Sequence, residues 1–300
     1  MTVLETAPVY SRIRYLLSRL HLPSRRRRLL LERLGEPIHL NVISLFVALL
    51  GGTRAKIDFD LVVRQQFAFS VLYAVDLAKR RGYRAITAIE FGVASGAGLL
   101  NICQIADLVE KETGIRIAVA GFDTGTGMPR ALDHRDLPEL WQQGDFKMDE
   151  AALRARLPKR ASLHVGPLEE TIPQFMAAHS VEAPIGFISF DVDYYSSTVQ
   201  ALQIFDADAK RYLPMVCTYL DDIIVDEISD WSGELAAIHE FNARNPMRKI
   251  APFPFLREKR LFQRARWIGQ IFFCHVHDHP LRQPGAIRAP VRDIRNEFIE

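Results

Sequence analysis

Ile188-Ser189-Phe190-Asp191-Val192-Asp193 is one of two apolar runs in this chain that end in paired carboxylates. The other is Thr218-Tyr219-Leu220-Asp221-Asp222, and a helix-length segment, Ser196 to Tyr212, separates the two. Short apolar runs of this kind are typical of buried parallel strands, so we predict two neighbouring strands of one βαβ unit. Ligands of open parallel sheets bind beyond the carboxyl ends of the strands. The four carboxylates are therefore expected in one crevice.

These four carboxylates indicate a metal site. Carboxylates that share a crevice repel one another unless they bind protons or share a cation. A ligand set made only of oxygen suits Mg²⁺ or another hard divalent ion. The alternative is that the acids cap helices, which would explain Asp193 or Asp222 alone but explains all four poorly. We favour the metal site.

The length and composition are those of an ordinary globular protein. A chain of 300 residues fits one α/β domain with appendages, and the apolar fraction is 48%. Cys103, Cys217 and Cys274 lack the spacing of metal ligands and predict buried thiols in a reducing compartment. There is no secretory signal, and no apolar run approaches the ~20 residues that span a bilayer. We expect a cytoplasmic protein with no membrane span.

The net charge of +2 conceals basic ends and an acidic middle. Residues 1–34 carry eight arginines against two glutamates, and residues 244–300 carry twelve basic residues against five acids. An acidic middle fits a bound cation and a cationic cofactor. The run of four arginines at 25–28 has no interleaved aromatic residues, so no nucleic-acid partner is expected.

Apolar periodicity predicts helices at the start of the chain and a sheet after them. Two helices are predicted between residues 9 and 34 and a third over 61–81, and we assign residues 1–82 to an N-terminal helical appendage. The apolar faces of the first two helices need a partner, either the main domain or a second subunit, so a homo-oligomer is one expectation. Residues 83–300 form the main domain.

Within the main domain, strands and helices alternate from residue 85 onward. This alternation predicts an α/β fold with a doubly wound, mostly parallel sheet. Gln270–Cys274 follows arginine-rich sequence and is predicted to be an antiparallel edge strand. The connection Thr124–Gly144 is long for a compact domain, and such loops are usually functional.

The first strand of the sheet runs into the glycine-rich turn Glu90-Phe91-Gly92-Val93-Ala94-Ser95-Gly96-Ala97-Gly98. Its spacing is G-x-x-x-G-x-G and differs from the G-x-G-x-x-G of dinucleotide-binding enzymes. An acid at the position of Glu90 suits a ligand with a positive amine or sulfonium, and Asp123 at the end of the second strand can accept hydrogen bonds from a ribose. The alternative for a glycine turn alone is a plain βα connection, which Glu90 and Asp123 together disfavour.

Five blocks of this sequence follow the order of blocks in a known family. They are Glu90–Gly98, Asp123–Pro129, Gly166–Pro173, Asp191–Thr198 and Asp221-Asp222. Over residues 85–245, about half of the chain, the sequence resembles the class I S-adenosylmethionine-dependent methyltransferases. It is most similar to the macrocin-type, metal-dependent sugar O-methyltransferases. It departs from their pattern at Val192, where they have glycine, and in the loop after Pro129.

The resemblance implies a Rossmann-like domain that transfers a methyl group from S-adenosylmethionine to a hydroxyl of a small molecule or sugar. It places Glu90 and Gly92 at the methionine end of the cofactor, Asp123 at the ribose and Leu168 near the adenine. The remaining implied cofactor-binding residues are Ala94, Ser95, Gly96 and Thr124. The resemblance further implies that Asp191, Asp221 and Asp222 bind Mg²⁺ or another divalent ion, with Asp191 also a catalytic residue.

The general base and a mobile lid are expected in the loop Thr124–Gly144. The family places a histidine between the second and third strands, and His134 is the one histidine of this loop. The alternative, a surface histidine in a polar loop, has equal weight. The loop is attached at the cofactor-side end of its strand, so we expect it to close over the acceptor.

Two functions of other classes stay open at this stage. The first is a nicotinamide-dependent oxidoreductase, which the glycine spacing disfavours. The second is a non-catalytic protein whose basic ends bind an acidic partner, which has no need of a carboxylate cluster. The sequence does not identify the methyl acceptor.

Overall fold

The computed structural model describes residues 31–286. The predicted helices between residues 9 and 34 fall outside this range except for residues 31–34, which are helical. The helices are α1 Ile38–Leu50, α2 Thr53–Asp58, α3 Gln65–Arg80, α4 Ala97–Thr113, α5 Glu150–Arg156, α6 Leu168–Ala178, α7 Tyr195–Ala201, α8 Gly233–Arg244 and α9 Leu256–Lys259. The strands are β1 Ala85–Phe91, β2 Arg116–Asp123, β3 Ala161–Val165, β4 Ile185–Phe190, β5 Tyr212–Leu220, β6 Arg248–Pro252 and β7 Ile271–Val276.

The strands form one sheet of seven in the order β3-β2-β1-β4-β5-β7-β6. Strands β1 to β5 pair in parallel, and β7 runs antiparallel between β5 and β6. The chain therefore winds outward from β1 in one direction to β3 and then in the other direction through β4 and β5. This confirms the predicted α/β, doubly wound and mostly parallel sheet.

The strand order creates a switch point between β1 and β4, and the register aligns the strand ends there. Phe91 pairs with Phe122 on one side and with Phe190 on the other, and Phe190 pairs with Leu220. The residues that follow these four positions therefore leave the sheet side by side. Ligand sites of open α/β sheets lie at such a switch point.

Helices cover both faces of the sheet and bury two apolar clusters. Helices α3 and α4 contribute to the cluster on one face, and α6, α7 and α8 contribute to the cluster on the other. Helix α3 buries nine residues and packs against β1, β4 and β5. This helix belongs to the segment that we assigned to an N-terminal appendage, and yet it is part of the main core. Where the domain begins stays a prediction.

Three predicted elements differ from the structure, the first being the helix predicted over 61–81, which begins only at Gln65. The helix predicted over Ser196–Tyr212 ends at Ala201, because the chain continues in short 3₁₀ turns and enters β5 at Tyr212. The strand predicted over Gln270–Cys274 is antiparallel as expected but is not the edge of the sheet, because β6 pairs on its outer side.

Among the described residues, no helix is long and apolar enough to cross a membrane. The three cysteines are free and buried, as their positions in apolar sequence predict.

Candidate active site

A cavity of about 830 Å³ opens at the carboxyl ends of the parallel strands. Its walls come from the turns after β1, β2, β4 and β5, from the start of α6 and from the residue before α3. This volume lies within the range that holds a cofactor or a drug-sized ligand. The cavity is therefore the place where the predicted site residues have to meet.

Three of the predicted carboxylates meet in this cavity. Asp191 follows β4 and Asp221 follows β5. The Asp221 amide donates to the Phe190 carbonyl at 3.1 Å, so the backbone hydrogen bonds between the two strands continue up to the acids. One oxygen from each of Asp191, Asp221 and Asp222 lies within 4.8 Å of the others. Such a spacing lets the three oxygens converge on one cation. Their role as metal ligands stays a prediction.

Burial and mutual repulsion disfavour the charged forms of these acids. Burial raises the pKa of Asp191 well above its ordinary value, and the charges of Asp221 and Asp222 raise it further. Burial, and then the charge of Asp193, does the same to the pKa of Asp222. The pKa of Asp193 is raised to about 7 by burial and then by Asp191. A divalent cation bound among them would relieve both causes, so the donor set fits such an ion.

Asp193, the fourth acid, supports the cluster through its backbone. Its φ is +57°, in the left-handed region that non-glycine residues rarely adopt, and its amide donates to Asp222 Oδ2 at 3.1 Å. Backbone strain of this kind persists where the surroundings enforce it and is common at functional sites. The turn after β4 thus orients Asp222.

A buried glutamate and a tyrosine, both missed by the sequence analysis, orient the other acids. Glu234 is fully buried in the first turn of α8 and accepts a hydrogen bond from the Asp222 amide at 3.2 Å. The Tyr219 hydroxyl donates to Asp221 Oδ1 at 2.5 Å and accepts from Gln270 Nε2 at 3.1 Å. From the sequence alone, an acid in the first turn of a helix is expected to be solvated, and a tyrosine in an apolar strand is expected to be a core residue. Only the tertiary structure identifies them.

Glycines bring the backbone and Glu90 to the cavity wall. Gly92 has φ +82°, and a Cβ there would lie 1.7 Å from the Asp191 carbonyl oxygen. A Cβ on Gly98 would lie 1.7 Å from Glu90 Oε1. The Glu90 side chain therefore packs against the first turn of α4, where only a glycine at position 98 leaves room for it.

Glu90 lines the cavity with one carboxylate oxygen unsatisfied. Its side chain is 1% exposed, and Oε2 has no hydrogen-bond partner among the described residues. Burial raises the pKa of Glu90 well above its ordinary value, with a further contribution from the charge of Asp191. Buried polar atoms are normally hydrogen-bonded, so an unpaired one that lines a cavity fits a ligand with a donor, such as an amine.

Asp123 holds the glycine turn in place. Its Oδ2 accepts from the amides of Val93 and Ala94 at 2.9 and 2.8 Å, and its Oδ1 accepts from the Gly125 amide at 2.7 Å. A carboxylate has about four acceptor positions, so about one remains on Oδ1. Asp123 can still accept from one ribose hydroxyl, the role implied by the resemblance.

Most of the predicted cofactor-binding residues line the cavity, and one does not. Those that line it are Glu90, Gly92, Ala94, Ser95, Asp123, Thr124 and Leu168. Gly96 faces away, because a Cβ on it would lie 2.2 Å from Leu153 Cδ1 in α5. The glycine at position 96 therefore permits helix packing.

The structure does not bring His134 to the cavity. His134 is exposed in a 3₁₀ turn of the loop after β2 and is not among the lining residues. The fully buried Asp136 accepts from the amide and hydroxyl of Ser196 at 2.8 and 2.9 Å and thereby fixes this turn to the start of α7. The role of His134 as the general base stays a prediction, and this geometry does not support it.

Other parts of the same loop do reach the cavity. Met128, Pro129, Trp141 and Phe146 line it. Phe146 is 59% exposed and has φ +58°. The apolar segments on either side of the fixed turn are therefore the ones placed to cover a ligand.

No protein-family model matches the chain. No curated protein matches it. Among solved structures, the chain is similar to "Crystal Structure of CalS11, Calicheamicin Methyltransferase", with 19% identity over 93% of this chain and 95% of that one and a TM-score of 0.45. It is also similar to "Apo structure of CalS11, TDP-rhamnose 3'-o-methyltransferase, an enzyme in Calicheamicin biosynthesis", with 18% identity over 93% and 97% and a TM-score of 0.42. Similarity at this level does not decide the function of this chain, which has to be inferred from its cavity.

Proposed function

We propose that the chain is an S-adenosylmethionine-dependent, divalent-metal-assisted O-methyltransferase that acts on a hydroxyl of a small molecule or sugar. The observation that carries this proposal is the convergence of Asp191, Asp221 and Asp222 in the same cavity as the glycine turn after β1. A metal site and a nucleotide-type turn that share one cavity are the parts that such a transfer requires.

The charge of the cavity supports a cationic cofactor. Glu90 and Asp123 lie on either side of the glycine turn, and the acid cluster adjoins them. A dinucleotide would bring a negatively charged pyrophosphate to these acids, which Coulomb repulsion disfavours. S-adenosylmethionine carries a sulfonium and an ammonium group instead, and the unsatisfied Oε2 of Glu90 would accept from the ammonium.

The three aspartates would hold the metal next to the cofactor. When bound, S-adenosylmethionine supplies an electrophilic methyl group, and a divalent ion acts as a Lewis acid that lowers the pKa of a coordinated hydroxyl. Asp193 donates to one oxygen of Asp222 and Tyr219 to one oxygen of Asp221, while Glu234 holds the Asp222 backbone amide. Two of the three proposed ligands are thus held by hydrogen bonds before any ion arrives. Preorganisation of this kind aligns the acceptor oxygen for displacement.

Apolar residues around the polar centre would exclude water from the reaction. Met128, Trp141, Phe146 and Leu168 line the cavity together with the acids. Leu168, at the start of α6, is the residue that the resemblance places near the adenine. The remaining volume would receive the acceptor, whose identity the cavity does not define.

Titration calorimetry tests the cofactor class directly. S-adenosylhomocysteine should bind in the micromolar range, and NAD⁺ should bind weakly or not at all. Glu90→Gln keeps the size of the side chain but removes its charge, so it should weaken S-adenosylhomocysteine at least roughly tenfold. Glu112→Gln, on the exposed face of α4, is the matched control and should leave binding unchanged. Tight binding of NAD⁺ with none of S-adenosylhomocysteine would refute the proposal.

A further inference from the structure

The described lining of the cavity contains seven acids and a single basic side chain, that of Arg64. The acids are Glu90, Asp123, Glu169, Asp191, Asp193, Asp221 and Asp222. Such a surface disfavours anions except near Arg64 and at the proposed metal. A negatively charged group of the cofactor, away from that metal, is therefore expected at Arg64.

Arg64 is held in an unusual backbone conformation at the start of α3. Its φ and ψ are 52° and 65°, in the left-handed region, and it is the residue immediately before the helix. A non-glycine residue in this region costs of order 1–3 kcal/mol and persists only where its surroundings impose it. Two residues of α3, Phe67 and Ala68, donate backbone hydrogen bonds to the Arg64 carbonyl and fix this position.

Arg64 is half-buried, and its guanidinium has no anionic partner among the described residues. It lies near the ring of Phe67, with Cζ 5.2 Å from the ring centroid. It forms no hydrogen bond or ion pair with any described side chain, although its charge lowers the pKa of both Glu90 and Asp191. The fork of N–H groups is thus close enough to these acids to act on them and yet free to bind another group.

A carboxylate is the anion that best fits such an arrangement. The guanidinium offers two parallel N–H donors that match the two oxygens of a carboxylate. Glu90, which lines the same cavity and whose pKa the charge of Arg64 lowers, has an unsatisfied oxygen suited to an ammonium group. An acid and a base that line one cavity can form a matched pair for the two charges of an α-amino acid.

We propose that Arg64 binds the α-carboxylate of the methionine moiety of S-adenosylmethionine while Glu90 accepts from its α-ammonium group. This inference rests on the proposed function, because it needs that cofactor in the cavity. It assigns to the turn before α3 a part of the cofactor site that none of the five sequence blocks contains. Arg64 thereby selects cofactors that carry a free amino acid.

Calorimetry with two ligands isolates this contact. S-adenosylhomocysteine carries the amino acid, and 5′-deoxy-5′-methylthioadenosine keeps the adenosine and sulfur but lacks it. Arg64→Gln should weaken S-adenosylhomocysteine roughly 10- to 100-fold, the usual effect of losing a hydrogen-bonded charge. The affinity for methylthioadenosine should stay within about twofold of the wild type. Arg64→Lys should retain part of the lost affinity, because it keeps the charge without the fork.

Arg81→Gln is the matched control, since it removes the same charge from the exposed far end of α3. Melting temperatures of all three variants, measured without ligand, verify that they fold. Equal losses for both ligands would overturn the proposal, because Arg64 would then act on the cavity as a whole. An unchanged affinity for S-adenosylhomocysteine, with a raised KM for an anionic acceptor, would assign Arg64 to the acceptor instead. Absence of wild-type binding to S-adenosylhomocysteine would refute the proposed function itself.

Discussion

Gly92 lines the cavity at a point where the backbone leaves no room for a side chain. It lies where β1 meets the turn after β4, and the Asp191 carbonyl fills the space that a side chain would need. Its φ of +82° adds a second requirement for glycine. The residue thus couples the glycine turn to Asp191, one of the proposed metal ligands, and any side chain at position 92 has to move one of them.

Gly92→Ala should destabilise the protein more than Gly82→Ala does. Gly82 has the same φ of +82° but nothing within 4 Å of its would-be Cβ, so Gly82→Ala measures the conformational cost alone, about 1–2 kcal/mol. Gly92→Ala adds a backbone clash of roughly 1–3 kcal/mol and should abolish S-adenosylhomocysteine binding. Thermal melts and calorimetry measure both effects. Equal melting temperatures of the two variants, with intact S-adenosylhomocysteine binding, would show that the backbone around position 92 accommodates a Cβ and would contradict this prediction.

Most apolar side chains of helix α1 are exposed, although its Asn41 and Ser44 contact Arg33. Its 13 residues contain no Lys, Arg, Asp or Glu, and Ser44 is its one buried residue. Its large exposed side chains are Ile38, Val42, Ile43, Leu45, Phe46, Leu49 and Leu50. Contiguous apolar patches of this kind are rare on monomers. A second copy of the chain is a suitable cover, because two uncharged faces pair without burying any charge.

We propose that the protein self-associates through α1, in line with the homo-oligomer expected from the N-terminal helices. Light scattering should give a wild-type mass at least twice that of one chain. A double variant, Leu45→Gln with Phe46→Gln, should be monomeric, since these side chains are 67% and 62% exposed. Leu108→Gln with Val181→Gln changes exposed residues elsewhere and is the control. A wild type that is monomeric at about 100 μM would rule out this interface.

At the scale of the whole molecule, the sheet was predictable where local sequence decides it. The sequence predicts strands over Ala85–Phe91 and Ile185–Phe190 and a helix over Leu168–Ala178, and β1, β4 and α6 have these bounds. Each is an apolar run or periodic segment between clear turn residues. The parallel order then placed Glu90, Asp123 and the paired aspartates at one edge, as the structure shows. The ends of these strands can be predicted from the sequence because each buried apolar run stops at a polar or turn residue.

The parts that sequence did not predict depend on contacts between distant segments. Strand β6 is short and charged and ends at Pro252, which are features of edge strands that leave little apolar signal. Because β6 was missed, β7 was assigned to the edge. Arg64 lines the cavity and Glu234 contacts Asp222, and both lie at helix starts outside the five sequence blocks. His134 stays outside the cavity because the buried Asp136 fixes its turn. Only tertiary packing determines these positions.

The central claim is that one cavity binds S-adenosylmethionine and a divalent metal side by side. The most direct test is a crystal structure of the protein with S-adenosylhomocysteine and Mn²⁺, with data collected for the anomalous signal of the metal. We expect one Mn²⁺ peak at bonding distance from Asp191, Asp221 and Asp222, and ligand density along the turn Gly92–Gly98. A ligand bound elsewhere, or an anomalous map without a peak at these three aspartates, would contradict the proposed function.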